Sequence, residues 1–206
     1  MKRLCSYLGL LAACALCLVG CGSVPEQSFY TLRGPLATTP VAPGTPAVPA
    51  VTIAPITLPD AVDRPELVMR SGANRLILLE NRQWAEPLRT AIPRVLADSI
   101  SQALGGVPVS LQSDNASRDA KLQVLIDVVR FDSMPGDAAI LEASWSIRSL
   151  DGAKLRTGSS TIRVPVQGAG YDDLVAAHSQ ALSKLAAEIS LQIKILAASG
   201  SMDVVR

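Results

Sequence analysis

The residue with the most definite chemistry is Cys21, which closes the run Leu18-Val19-Gly20-Cys21. A small residue directly before a cysteine, at the end of an apolar stretch, is the spacing of a bacterial lipobox. There the thiol sulfur is alkylated with diacylglycerol, and a signal peptidase then cuts in front of the cysteine, which becomes the first residue of the mature protein. The alternative is an ordinary leader followed by an incidental cysteine, and the sharp break in composition at this point argues against it. Cys5, Cys14 and Cys17 all precede the cut, so Cys21 is the only cysteine expected to survive. Once acylated it forms no disulfide, and thiol catalysis and cysteine metal clusters are excluded with it.

The remaining candidates are sparse. His178, the only histidine, falls four residues after Leu174 and three before Ala181, on an apolar stripe. No second histidine or carboxylate cluster stands at ligand spacing, so a packed structural histidine accounts for it better than a catalytic or metal-binding one. Glu80 with Glu86, or Asp127 with Asp132, could form carboxylate pairs, but a solvated strand edge explains them more simply. The sequence contains no nucleophile elbow, phosphate loop or dinucleotide fingerprint. No catalytic residue, metal or cofactor is expected, and an enzyme is the weaker class. The residues suited to meeting a partner are Asp63, Arg64, Trp84 and Glu86. Tryptophan anchors many interface centres, although Trp84 is equally suited to a core, and Asp63-Arg64 is also readable as a salt-bridged turn. Trp145 shares its strand face with Leu141 and Ile147 and belongs in the core.

Elements that must position these residues follow from periodicity. Leu67 to Arg70 and Arg75 to Glu80 are strand-length apolar runs joined by Ser71-Gly72-Ala73-Asn74, a hairpin turn. Glu86 and Pro87 fit the first turn of a helix, because an acid suits the positive dipole end and proline there gives up only an N–H without an intrahelical partner. Leu88, Ile92, Val95, Leu96, Ile100 and Leu104 recur at helical spacing until Gly105-Gly106, so Pro93 either kinks this helix or the regular part begins near Ile92. Phe29 to Leu32, Val51 to Ile56 and Val107 to Leu111 read as shorter strands, and Gln112 to Asp119 as solvated loop. Lys121 to Phe131, Ala139 to Leu150 and Leu155 to Val166 are long strands of an antiparallel meander, with turns at Met134-Pro135-Gly136-Asp137 and Asp151-Gly152. Ala139, Leu141, Ala143, Trp145 and Ile147 face the core; Ile140, Glu142, Ser144, Ser146 and Arg148 face water. Asp172 or Asp173 is expected to cap a second helix whose stripe runs from Leu174 to Ile193, with fraying after Leu196. The expected fold is α+β: a largely antiparallel mixed sheet with two main helices packed on one face.

Domain organisation starts from Lys2 and Arg3 before the apolar run Leu8 to Val19, a secretory signal too short for a comfortable membrane span. Residues 1–20 are read as signal peptide, 21–27 as lipidated tether, 28–197 as one domain and 198–206 as flexible tail. Pro35, Pro40, Pro43, Pro46 and Pro49 make 34–50 an extended segment, read as a loop between strands, with a long tether as the alternative. Cleavage removes two of the 19 basic residues and none of the 18 acidic ones, leaving a net charge of −1. No basic patch with interleaved aromatics is present, so no nucleic-acid partner is expected. Gly22 follows Cys21 where enterobacterial inner-membrane retention uses aspartate, favouring the outer membrane. Acyl chains contribute about 0.8 kcal/mol per buried methylene, enough together for firm anchoring on its periplasmic face.

Leu58-Pro59, Asp63-Arg64-Pro65, Leu67-Val68, Arg70, Gly72, Asn74 and Trp84-Ala85-Glu86-Pro87-Leu88 occur in order. In this the chain resembles the PqiC-type auxiliary lipoproteins of ABC transporters that carry an MCE subunit, over nearly all of the mature sequence except 34–50. The resemblance implies a small α/β domain, a periplasmic lipoprotein that docks an MCE-domain protein of an ABC-type transporter at the outer membrane, and assembly as a homo-oligomer. A lipid or small-molecule carrier and an envelope assembly factor are the alternatives.

Overall fold

The computed structural model describes residues 26–34, 48–150 and 153–199. The residues read as signal peptide, Cys21, most of the proline-rich segment, the expected turn at Asp151-Gly152 and the residues read as tail from 200 onward lie outside the described residues. The strands and helices, numbered in chain order, are β1 (Ser28–Tyr30), β2 (Val51–Ile53), β3 (Glu66–Arg70), β4 (Leu76–Trp84), α1 (Leu88–Ala103), β5 (Val109–Leu111), β6 (Leu122–Met134), β7 (Ala138–Ser149), β8 (Lys154–Pro165) and α2 (Tyr171–Ala198).

Strands β6, β7 and β8 form the antiparallel meander expected from their alternation. Gly136 turns the first corner with φ 70°, and Asp137 N–H closes it on the Met134 carbonyl at 3.0 Å. Residues 128 and 131 both face inward although three apart, because the pairing skips Val129, which bulges out and is 61% exposed. Beyond β6 the sheet divides. On one side β7 pairs along nearly its whole length, while on the other β2 takes Leu122 to Val124 and β3 meets Ser133. Strand β2 lies between β5 and β6, parallel to both, and all three of its residues are buried, as two-sided packing requires. The β3–β4 hairpin carries β1 on its far edge, parallel to β4.

Helix α2 lies across β6, β7 and β8, with α1 against α2 and β5. Ile126, Leu141, Ile147, Leu174 and Leu182 are fully enclosed in the resulting core. Each such side chain contributes about 1.5–3 kcal/mol relative to exposure. The fold is α+β: among the described residues, an open, mostly antiparallel mixed sheet of eight strands with two α-helices. No described helix is long and apolar enough to cross a membrane.

Several local expectations are corrected. Helix α1 starts at Leu88, so Glu86 and Pro87 precede it and its first turn holds no acid. It runs through Pro93, whose ring is buried, and ends where Gly105 and Gly106 take φ of 80° and 94°. Gly170, not Asp172 or Asp173, is the N-cap of α2; Asp173 reaches back to accept the Gly170 N–H at 3.3 Å. Residues 112–119 contain a short 3₁₀ turn, Asn115–Asp119, and α2 stays helical to Ala198. Strand β2 stops at Ile53, whereas β4 extends to Trp84. The outer face of β7 is half-buried at Ile140, Glu142, Ser146 and Arg148, and open only at Ser144.

Candidate docking cleft

The end of β4 and the start of α1 meet at a corner held by backbone hydrogen bonds. Trp84 N–H donates to the Pro65 carbonyl at 2.7 Å and Ala85 N–H to the Tyr30 carbonyl at 2.8 Å. Val62 and Asp63 N–H groups both donate to the Pro59 carbonyl, folding residues 59–63 into the turn that brings Asp63 and Arg64 beside the corner. Asp63, Arg64, Trp84 and Glu86, scattered over 24 positions of sequence, thereby line one cleft of about 320 Å³ together with Pro65, Pro87 and Arg89.

Trp84 is 7% exposed, so the core takes most of its ring and only an edge reaches the cleft. It lies 6.4 Å from Phe131 and 6.3 Å, edge-on, from His178. The Asp63-Arg64 turn is not closed by an ion pair between its own residues. Asp63 instead binds Arg89 of α1 with both carboxylate oxygens along one guanidinium edge, Oδ1 accepting from Arg89 Nε at 3.2 Å and Oδ2 from Nη2. Glu86 pairs with Arg94, reaching over the first turns of the helix. The Glu86 partner raises the Arg94 pKa further above its ordinary value. Arg64 has no such partner, and its Nε is enclosed without any hydrogen bond among the described residues. Nothing in the sequence marks Arg89 as the partner of Asp63, because the two are 26 residues apart and joined only by the fold.

The other singled-out residues lie elsewhere. His178 is fully buried and stacked on Phe131 with ring centroids 4.1 Å apart, and its Nε2 shares a 2.8 Å hydrogen bond with Ser133 Oγ. Burial pushes its pKa down to about 3, against a small opposing pull from Asp132. Sealed from solvent, this pair offers no surface to a substrate. Asp132 accepts from Arg70 Nε at 2.5 Å and also from Arg130. Burial drives its carboxyl up, but the two guanidinium hydrogen bonds outweigh that and hold it below the ordinary range. Asp127 accepts from Thr57 Oγ1 at 2.7 Å, and Glu80 lies on an exposed stretch of β4, so neither suspected carboxylate pair is assembled. Trp145 is buried, with its Nε1–H on Ser160 Oγ at 3.1 Å, and that hydroxyl donates in turn to Glu188 on α2. Among the described residues no three His, Cys, Asp or Glu side chains converge as a metal site.

A family model described as ABC-type transport auxiliary lipoprotein component matches residues 30–190. The sequence matches no curated protein. Among solved structures, a Xanthomonas campestris protein assigned to the DUF330 family model superposes with a TM-score of 0.68 at 18% identity, over 84% of this chain and 98% of its own. A second, described as an uncharacterized protein, gives a TM-score of 0.67 at 18% identity, over 82% of this chain and 99% of its own. At such identity these likenesses show the fold.

Proposed function

We propose, on the premise that the chain belongs to the family of ABC-type transport auxiliary lipoprotein components, that it is a non-enzymatic subunit anchored by Cys21 to the outer membrane. There it docks an MCE-type transporter from the periplasmic side during lipid movement between the two membranes. The observation that carries the reading is the family match over 30–190, which takes in the whole cleft at the β4–α1 corner. The mechanism is positional: acyl chains fix the domain, and a protein surface captures the transporter. Ser28–Tyr30 is paired into the sheet, and the eight residues from Cys21 to Phe29 extend over at most about 28 Å, so an acylated Cys21 would hold the domain close to its membrane. Assembly into a homo-oligomer belongs to the same proposal.

The filled space between α2 and the sheet favours docking over carriage of a lipid, since Leu182, Leu185, Ile189 and Ile193 are fully buried there. Native mass spectrometry separates the two: docking predicts an empty protein in a defined oligomer, carriage a stoichiometric bound lipid. The docking reading is tested by affinity purification of the tagged full chain from native membranes. An MCE-domain or ABC subunit should accompany it, and recovery of neither sinks the reading.

A further inference from the structure

Within the cleft the charges can be assigned group by group. Asp63 is neutralised by Arg89, and Glu86 by Arg94. Arg64 is left over, a permanent cation whose Nε is enclosed and satisfied by no described residue. That enclosed N–H lies out of reach of a ligand, so the part of Arg64 that an entering anion meets in the cleft is the pair of terminal Nη groups, which bond no described residue. The cleft thus presents one uncommitted positive charge, and the uncapped N-terminal end of α1 opens beside it with partial charge of the same sign. The remaining wall is apolar and stiff: Pro65, Pro87 and the exposed edge of Trp84.

We propose that this cleft takes an extended peptide segment of the docking partner, placing one carboxylate on Arg64 and small apolar or proline side chains against Pro65, Trp84 and Pro87. A carboxylate matches both the planar fork of the guanidinium and the single net charge. A phosphate dianion would bring two negative charges to the one uncommitted cation and leave one of them unbalanced. The identity of the partner rests on the docking reading, whereas the chemistry of the cleft does not.

The test uses the full chain in detergent micelles and fluorescently labelled peptides. The probes are acetyl-Pro-Val-Glu-Val-Pro-amide, its glutamine analogue, and Pro-Val-Pro-Val-Pro with a free carboxyl end; the first and third distinguish a side-chain carboxylate from a chain terminus. At least one carboxylate peptide should bind about tenfold or more tightly than the neutral one, a difference of the size expected for a charged hydrogen bond. Arg64→Gln should abolish that difference with the circular dichroism spectrum unchanged, and Arg64→Lys should restore only part of it. Equal binding of acidic and neutral peptides, no peptide binding at all, or discrimination that survives Arg64→Gln overturns the proposal. So does an Arg64-dependent response to phosphatidylglycerol vesicles without one to peptides, which would assign the cleft to a headgroup. If Arg64→Gln loses the peptide yet still co-purifies with the transporter, the cleft is a carboxylate site but not the docking contact. If the peptides fail while the wild-type chain still brings down the transporter, the cleft chemistry is wrong and the docking reading stands.

Discussion

Two buried residues make the fold sensitive to single changes. Trp145 lies directly across the β7–β8 pair from Gly158, and a β-carbon built on that glycine would stand 2.3 Å from Trp145 Cζ2. Gly158→Ala should therefore lower stability by about 1–3 kcal/mol, the usual cost of overpacking, read as a shift in the urea midpoint. The alternation of β7 identifies Trp145 as core, but the need for glycine opposite it depends on pairing register, which no single strand discloses. His178 gives a pH signature. Its folded pKa is depressed to about 3 from the ordinary 6.5, so the unfolded chain binds a proton over that window and the folded chain does not. Stability is thus full above pH 6.5 and falls with acid at up to roughly 1.4 kcal/mol per pH unit. Urea titrations at pH 6.5 and 4.5 should resolve the loss, and His178→Leu should remove this slope whatever its absolute stability. An identical slope in the variant would move the effect to other groups.

At the level of elements, the period-two meander and the two apolar helical stripes are legible because each buries one face and exposes the other. The β3–β4 hairpin is legible for a different reason: Gly72 takes φ 104°, a conformation glycine adopts freely. The short parallel strands β1, β2 and β5 read as strands, but three residues carry no information about which neighbour they join. Helix starts were displaced by a residue or more for a physical reason. An acid near a helix start works equally well as the cap itself or three residues inside, and at α2 the structure uses the second arrangement through Asp173. Asp173→Ala should accordingly cost about 0.5–2 kcal/mol, measurable by thermal melting, while Asp172→Ala should change little, because the backbone N–H of Gly170 is bonded to Asp173. The four partner candidates were identifiable by residue type, and their convergence follows from the turn at Pro59. Their actual ion pairs were hidden, since Arg89 and Arg94 lie on the next element and any of several acids satisfies a surface arginine.

For the whole molecule, the decisive experiment is on the anchor. Cys21→Ala removes the only proposed acylation site and leaves every described strand and helix intact. Because the lipoprotein cut waits on acylation of this cysteine, the variant is exported behind a leader removed by an ordinary signal peptidase; it should then fold, appear in the soluble periplasmic fraction and lose the proposed docking function, since tethering no longer supplies local concentration. Partner affinity of the purified protein should be unchanged; a variant that still sediments with membranes and functions fully contradicts the anchoring mechanism. The divided sheet has a temporal side as well. Strand β1 pairs with residues 82–84, and β2 with 109–111 and 122–124, so both are completed only by chain that follows much later. The meander and α2, by contrast, close over short loops, and closing long ones costs entropy before any contact repays it. The carboxyl-terminal half should therefore acquire hydrogen-exchange protection first in pulse labelling, with β1 and β2 last. A chain that emerges amino end first then keeps β1, the strand nearest Cys21, unpaired the longest, which would leave the proposed acylation site within reach of an enzyme while the remainder condenses.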